Sequence, residues 1–234
     1  MTASSVQDGA RQRRLYGRRR GRALREGQRA LIENTLPSLR FALPAAEKLD
    51  PRALFATPVD EVWLEIGFGG GEHVVFQAET HPNIGVIGSE VFEPGIAKLL
   101  AEVKERALAN VRLFVDDARV LIAALAPQSI GRAFILFPDP WPKERHKKRR
   151  VVSVETLDDL AAAMTDGAEL RIATDDPDYA AWIDERAGAH RDFMAVAAVD
   201  RPEDWPATRY EKKALSQGRN PRLFQYRRRP RAES

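Results

Sequence analysis

The chain has 234 residues, 44% apolar and 30% charged, enough for one α/β domain with a real core and terminal extensions. No apolar stretch approaches bilayer-spanning length, which argues against a membrane protein, and the lack of cysteine excludes disulfides and thiolate metal sites. The net charge of +3 conceals two basic blocks, Arg11–Arg29 and Lys143–Arg150, and a local basic field matters more to a polyanion than the total does.

Residues 1–30 are polar, Gly/Arg-rich and without a clear period, predicting a flexible basic arm that orders on a partner. An organelle-targeting segment is the minor reading, because amphipathy and an apolar signal core are both lacking. Leu31 to Leu49 is broken by Pro37 and Pro44, and Leu54-Phe55 belongs to a short element. Strands and helices then alternate. The strands are 62–66, 84–88, 111–115, 133–137 and 169–173, with helices at 72–80, 94–108, 118–125 and 156–164 between them. Pro94 suits a first helical turn. A helix at 179–186 and strands at 193–199 and 222–227 follow, the last two read as a closing antiparallel pair. The predicted fold is a Rossmann-like α/β domain over 31–234, with a mostly parallel seven-stranded sheet and helices on both faces.

The first strand runs through Glu65-Ile66 into Gly67-Phe68-Gly69-Gly70-Gly71, so backbone can approach a ligand and N–H groups can receive an anion. A dinucleotide motif would place glycine where Glu72 stands, and Glu65 adds a second carboxylate where a pyrophosphate would lie. S-adenosylmethionine fits better: the glycine N–H groups can hold its carboxylate, while its ammonium and sulfonium favour Glu65. Glu90 lies about twenty residues past the bend, the spacing of a carboxylate that grips ribose hydroxyls, a feature NAD would share. Asp117 suits either an adenine amino group or a helix cap, and a third arrangement makes Asp116 the cap and Asp117 the contact.

Phe137-Pro138-Asp139-Pro140-Trp141-Pro142 runs directly into Lys143-Glu144-Arg145-His146-Lys147-Lys148-Arg149-Arg150. Each proline pushes the residue before it out of the α region, so Phe137, Asp139 and Trp141 are predicted extended or turn-like. Asp139 is thereby aimed from just past a strand's carboxyl end, where open α/β sheets bind ligands. The bland reading is a surface turn followed by a solvated charge run. The four histidines form no close pair with ligand spacing, and no metal site is expected.

Together these residues resemble the bacterial tRNA (guanine-N7-)-methyltransferase family, a class I S-adenosylmethionine-dependent group. The resemblance spans roughly residues 60–226 and includes Thr174-Asp175, Tyr179, Trp182 and Thr208-Arg209-Tyr210-Glu211-Lys212-Lys213. It implies a cytoplasmic enzyme that methylates guanine N7 at tRNA position 46. It further implies that Glu65, Gly67, Gly69, Glu90, Asp117 and Asp139 line the cofactor pocket and that Asp139 is the active-site acid. Lys143, Asp175, Thr208, Arg209, Tyr210 and Glu211 would contact substrate, and Arg145, His146, Lys147, Lys148, Arg149 and Arg150 would touch RNA. Departures are Glu144 in place of a cation, Ser89 before Glu90 and Tyr210 in place of phenylalanine.

Three rival readings remain open. These are a class I methyltransferase acting on another RNA, a non-catalytic RNA-binding module on a vestigial core, and a nicotinamide-dependent dehydrogenase, against which Glu65 and Glu72 argue. Trp141 has two readings, stacking on an extruded base or packing beneath its loop. Oligomeric state and any protein partner are not legible.

Overall fold

Buried parallel strands read as near-continuous apolar runs, and the computed structural model, which describes residues 17, 19–196 and 202–232, builds its sheet from such runs. The strands are β1 (Glu61–Ile66), β2 (Ile84–Ser89), β3 (Val111–Phe114), β4 (Ile130–Leu136), β5 (Met164–Thr174), β6 (Phe193–Ala195) and β7 (Arg222–Arg228). Their spatial order is β3-β2-β1-β4-β5-β7-β6. All neighbours through β5 are parallel, and β7 pairs antiparallel with both β5 and β6. Strand order therefore reverses between β1 and β4, opening a crevice beyond their carboxyl ends.

The helices are α1 (Glu26–Asn34), α2 (Leu36–Leu39), α3 (Glu72–Thr80), α4 (Glu93–Glu105), α5 (Ala118–Ala124), α6 (Val154–Ala163), α7 (Pro177–Ala187) and α8 (Arg209–Ser216). Strand alternation divides them between two faces. Val62, Leu64 and Ile66 of β1 join the core under α5, α6 and α7. Trp63 points to the other face, packing with Phe134 and Trp205, while α2, α3 and α4 bury a separate cluster against β2 and β3.

Several boundaries differ from expectation. Helix α1 begins at Glu26, inside the span read as an arm, and Leu31 and Ile32 pack against the α2–α4 cluster. Residues 1–16 and 18 of that arm lie outside the described residues, as do 197–199 of the strand expected at 193–199. Pro37 sits in the first turn of α2, where its missing N–H costs nothing. Strands β4 and β5 start three and five residues early, with a register shift between Ile130 and Arg132.

Candidate active site

The bend after β1 depends on left-handed backbone at Gly69 (φ +57°) and at Gly71 (φ +78°), which caps α3. Its amides are already committed: Gly67 N–H donates to Ser89 O at 2.8 Å and Gly69 N–H to Glu90 Oε2 at 2.8 Å. Of the glycine N–H groups expected to receive a ligand carboxylate, these two are therefore engaged within the protein, although both glycines line the cavity. Glu90 Oε1 accepts two more amides, from Val91 at 2.7 Å and Phe92 at 3.0 Å. Burial outweighs these bonds and, with the charge of Asp139 nearby, pushes the Glu90 carboxyl above its ordinary value.

Glu65 does not line this cavity. It shares strand parity with Trp63, is buried on the α3 side, and pairs with His73 Nδ1 at 2.7 Å. Glu72 is paired with Lys98 at 2.5 Å and lies 3.5 Å from Arg209. Of the carboxylates lining the cavity, Glu90 and Asp139 form no ion pair among the described residues.

Of the two roles the sequence left open for Asp117, the structure shows the helix cap. Asp117 Oδ1 caps α5 by accepting Arg119 N–H at 3.0 Å, the Asp117 carboxylate pairs with the Arg119 guanidinium at 2.5 Å, and the residue lines the cavity. Asp116 is not the helix cap; it accepts Asp117 N–H at 2.8 Å and pairs with Arg19 at 3.6 Å.

Asp139 projects from the β4 loop into the same cavity of about 360 Å³, a size ordinary for small-ligand sites. Partial burial raises its carboxyl above the usual Asp value. Phe137 and Trp141 did leave the right-handed helical region, but into the left-handed one (φ +52° and +44°) rather than to extended backbone. Such backbone in bulky residues costs on the order of 1–3 kcal/mol each and persists only where surroundings over-determine it. Trp141 lines the cavity, with the Arg149 guanidinium 4.9 Å from its ring centroid and the His146 ring edge-on at 5.9 Å.

The cationic block is a 3-10 turn, Glu144–Arg149, and its members differ sharply. Lys143, Arg145 and Lys148 are exposed, His146 is half-buried, and Lys147 bonds Glu144 and Asp178. Arg150, expected at the RNA surface, is corrected: its side chain is 0% exposed and pairs with Asp178. It is an internal residue.

The segment carrying Thr208 folds back onto the bend. Thr208 caps α8 by accepting Glu211 N–H at 3.3 Å, and both residues are buried. Tyr210 lines the cavity so closely that a Cβ on Gly69 would lie 3.0 Å from its ring, and Arg209 bonds the Tyr210 hydroxyl at 2.9 Å. Asp175, just past β5, pairs with Arg219. Sequence reasoning missed Arg119, Ser89, Phe92, Val151 and Gly17 in the lining. Arg119 had one available signal, its position two residues after a capping Asp. Away from the cavity, ligand atoms of Asp158, His190 and Asp192 lie within 4.8 Å of one another. The His190 Nδ1 accepts Asp192 N–H at 3.2 Å, so Nε2 carries the proton toward Asp158, and the ring serves as a staple after α7.

Comparison with known proteins accords with this geometry. A family model described as a putative methyltransferase matches residues 60–222. Among solved structures, the 16S rRNA methyltransferase KamB superposes with a TM-score of 0.56 at 20% identity, covering 74% of this chain and 89% of that one. A putative methyltransferase from Streptococcus mutans in complex with SAH gives 0.50 at 14% identity, covering 84% and 97%. The fold is that of the class I methyltransferases, and the family model places the chain among methyltransferases. In sequence, tRNA (guanine-N(7)-)-methyltransferases of Paramagnetospirillum magneticum and Rhodospirillum rubrum are 53% and 48% identical, covering 93% and 94% of this chain and 94% and 89% of theirs. The chain belongs to the tRNA (guanine-N7-)-methyltransferase family.

Proposed function

We propose that this chain transfers a methyl group from S-adenosylmethionine to N7 of guanine in tRNA, at position 46 in the variable loop, within the cytoplasm. The observation carrying this reading is that an acid-lined cavity at the glycine bend and the Asp139 loop, flanked by exposed cations, meet at one switch point. The names of the curated relatives support the same substrate.

The residues fit the cofactor. Glu90 stands at the cavity with both carboxylate oxygens fixed by backbone, suited to ribose hydroxyls, and Asp117 suits an adenine amino group. When bound, the cofactor supplies a methyl group on a positively charged sulfur, an electrophile needing no further activation.

Guanine N7 carries a free lone pair at neutral pH, so no general base is required and alignment dominates. Asp139 accepts hydrogen bonds from guanine N1–H and the exocyclic amine, which separates guanine from adenine and offsets charge arriving on the ring. Trp141 supports the extruded base. Asp175 and the Thr208–Glu211 turn border the substrate side, while Lys143, Arg145 and Lys148 meet phosphates and respond to tRNA shape. Incubating the purified chain with labelled S-adenosylmethionine and unmodified tRNA, followed by nucleoside analysis, tests this. Label in 7-methylguanosine is expected; label in another nucleoside, or none, refutes it.

A further inference from the structure

Arg150 ends the cationic turn, yet its chemistry is directed entirely inward. Its guanidinium carbon lies 4.7 Å from the Tyr179 ring centroid and 4.9 Å from that of Trp182, both on α7. Its Nε donates to the Pro140 carbonyl at 2.8 Å, and its Nη2 pairs with Asp178 in the first turn of α7. The same helix holds the loop's return: Val152 N–H donates to the Tyr179 hydroxyl at 3.2 Å and Trp182 Nε1 to Val152 O at 2.6 Å.

The Pro140 carbonyl belongs to the peptide unit that joins Pro140 to Trp141, one residue past Asp139, and both aromatic residues of that loop, Phe137 and Trp141, sit in left-handed backbone. A loop so bent needs an external constraint. Helix α7 follows β5, the sheet neighbour of β4, so a tether to α7 fixes the loop against the sheet that carries both. We propose that Arg150 is a positioning residue that holds the Asp139 carboxylate in register with the cavity, rather than a phosphate contact. This rests on the methyl-transfer reading above.

The test is Arg150→Lys, which keeps the block's charge but loses the planar fork that bonds Pro140 while lying between two rings. With saturating tRNA and cofactor, kcat should fall by roughly ten- to a hundredfold, the effect expected of small misplacements. The dissociation constant for S-adenosylhomocysteine and the salt slope of tRNA binding should stay within about twofold of the parent. Unchanged kcat with tRNA binding weakened well beyond twofold would overturn the inference in favour of a phosphate contact made by the guanidinium fork. A kcat loss matched by equal loss of cofactor affinity and melting temperature would overturn it too. Should Arg150→Lys not fold, Trp182→Phe decides, since it keeps a ring but removes the bond to Val152: lower kcat supports the tether and parental kcat refutes it. A parent inactive on tRNA would take down the function and this inference together, whereas an active parent equalled by Arg150→Lys would sink the inference alone.

Discussion

Glu90 Oε2 accepts the Gly69 N–H at 2.8 Å, hinging two loops that are 21 residues apart on one carboxylate. The other oxygen takes the amides of Val91 and Phe92, so a single side chain shapes both the glycine bend and the approach to α4. Glu90→Gln would turn an NH₂ group toward one set of those donors. Bonds to a charged acceptor contribute about 1.5–3 kcal/mol each, so cofactor affinity should weaken tenfold or more by calorimetry, with a lower melting temperature. Parental values for both would show that the oxygens are interchangeable and the carboxylate dispensable.

Asp139→Asn keeps the loop's shape but converts one of two acceptors into a donor aimed at guanine N–H groups. Single-turnover rates should drop on the order of a hundredfold, as for other preorganised polar groups facing developing charge. Affinity for S-adenosylhomocysteine should barely move, because three amides hold Glu90 independently. A large affinity loss with intact turnover would assign Asp139 to the cofactor alone.

Burial raises both Asp139 and Glu90, and the charge of Asp139 further disfavours ionisation of Glu90. Acceptance of guanine's hydrogen bonds requires ionised Asp139, so kcat/KM should decline as pH falls through its raised value, above the ordinary ~3.9 for Asp. The stability linkage has the opposite sense. A carboxyl raised in the folded state binds protons better there than when unfolded, so its contribution is present at low pH and lost as pH rises through the folded value. Asp139→Asn should remove the Asp139 share of both effects, measured by pH–rate profiles and by melting temperature in the cofactor-free protein.

The strands around the bend were legible, though not their spatial order, because β1 to β5 are buried apolar runs, each ending in turn residues. Glu65 was misplaced although β1 itself held the clue: Trp63 and Glu65 share a face opposite Val62, Leu64 and Ile66, and only Ile66 of these reaches the cavity. Arg150 was not legible, since one cation in a run of cations looks like its neighbours, and the rings that receive it lie about thirty residues on. Helices α1 and α8 were missed for a related reason. No residue is fully buried in α1, where Leu31 and Ile32 are only partly buried, and α8 buries only Glu211 and Ala214, so each short helix carries few apolar residues to set a period.

Exposed cations should behave differently from the internal one. Arg145 and Lys148 point to solvent beside the cavity, so the double change Arg145→Gln and Lys148→Gln should weaken many tRNAs alike and reduce the salt slope of binding by ~1.5. An unchanged slope in filter-binding titrations would identify these side chains as a merely solvated face. kcat at saturating tRNA should stay close to that of the parent, the reverse of the pattern for Arg150→Lys.

The loop leading to Thr208 is anchored by charge on the back of the sheet. Asp204 bonds Arg132 at 2.5 Å and Arg171 at 2.8 Å, its carbonyl accepts Gln77 Nε2 at 2.6 Å, and Trp205 packs beside it with Trp63 and Phe134. Burial alone would raise the Asp204 carboxyl, but the two guanidiniums reverse this and hold it below the usual Asp value. Asp204→Ala would leave Arg171, 3% exposed, with only Glu169 as a carboxylate partner among the described residues. Losing one partner of a buried pair costs about 3–5 kcal/mol, and retention of Glu169 together with the 29% exposure of Asp204 places the expected loss below that range. Because the same anchor sets where α8 begins, KM for tRNA should rise in parallel with the loss in denaturant stability. Asp204→Asn keeps an acceptor for one guanidinium and should recover part of both. Stability lost with KM unmoved would separate the anchor from the substrate turn.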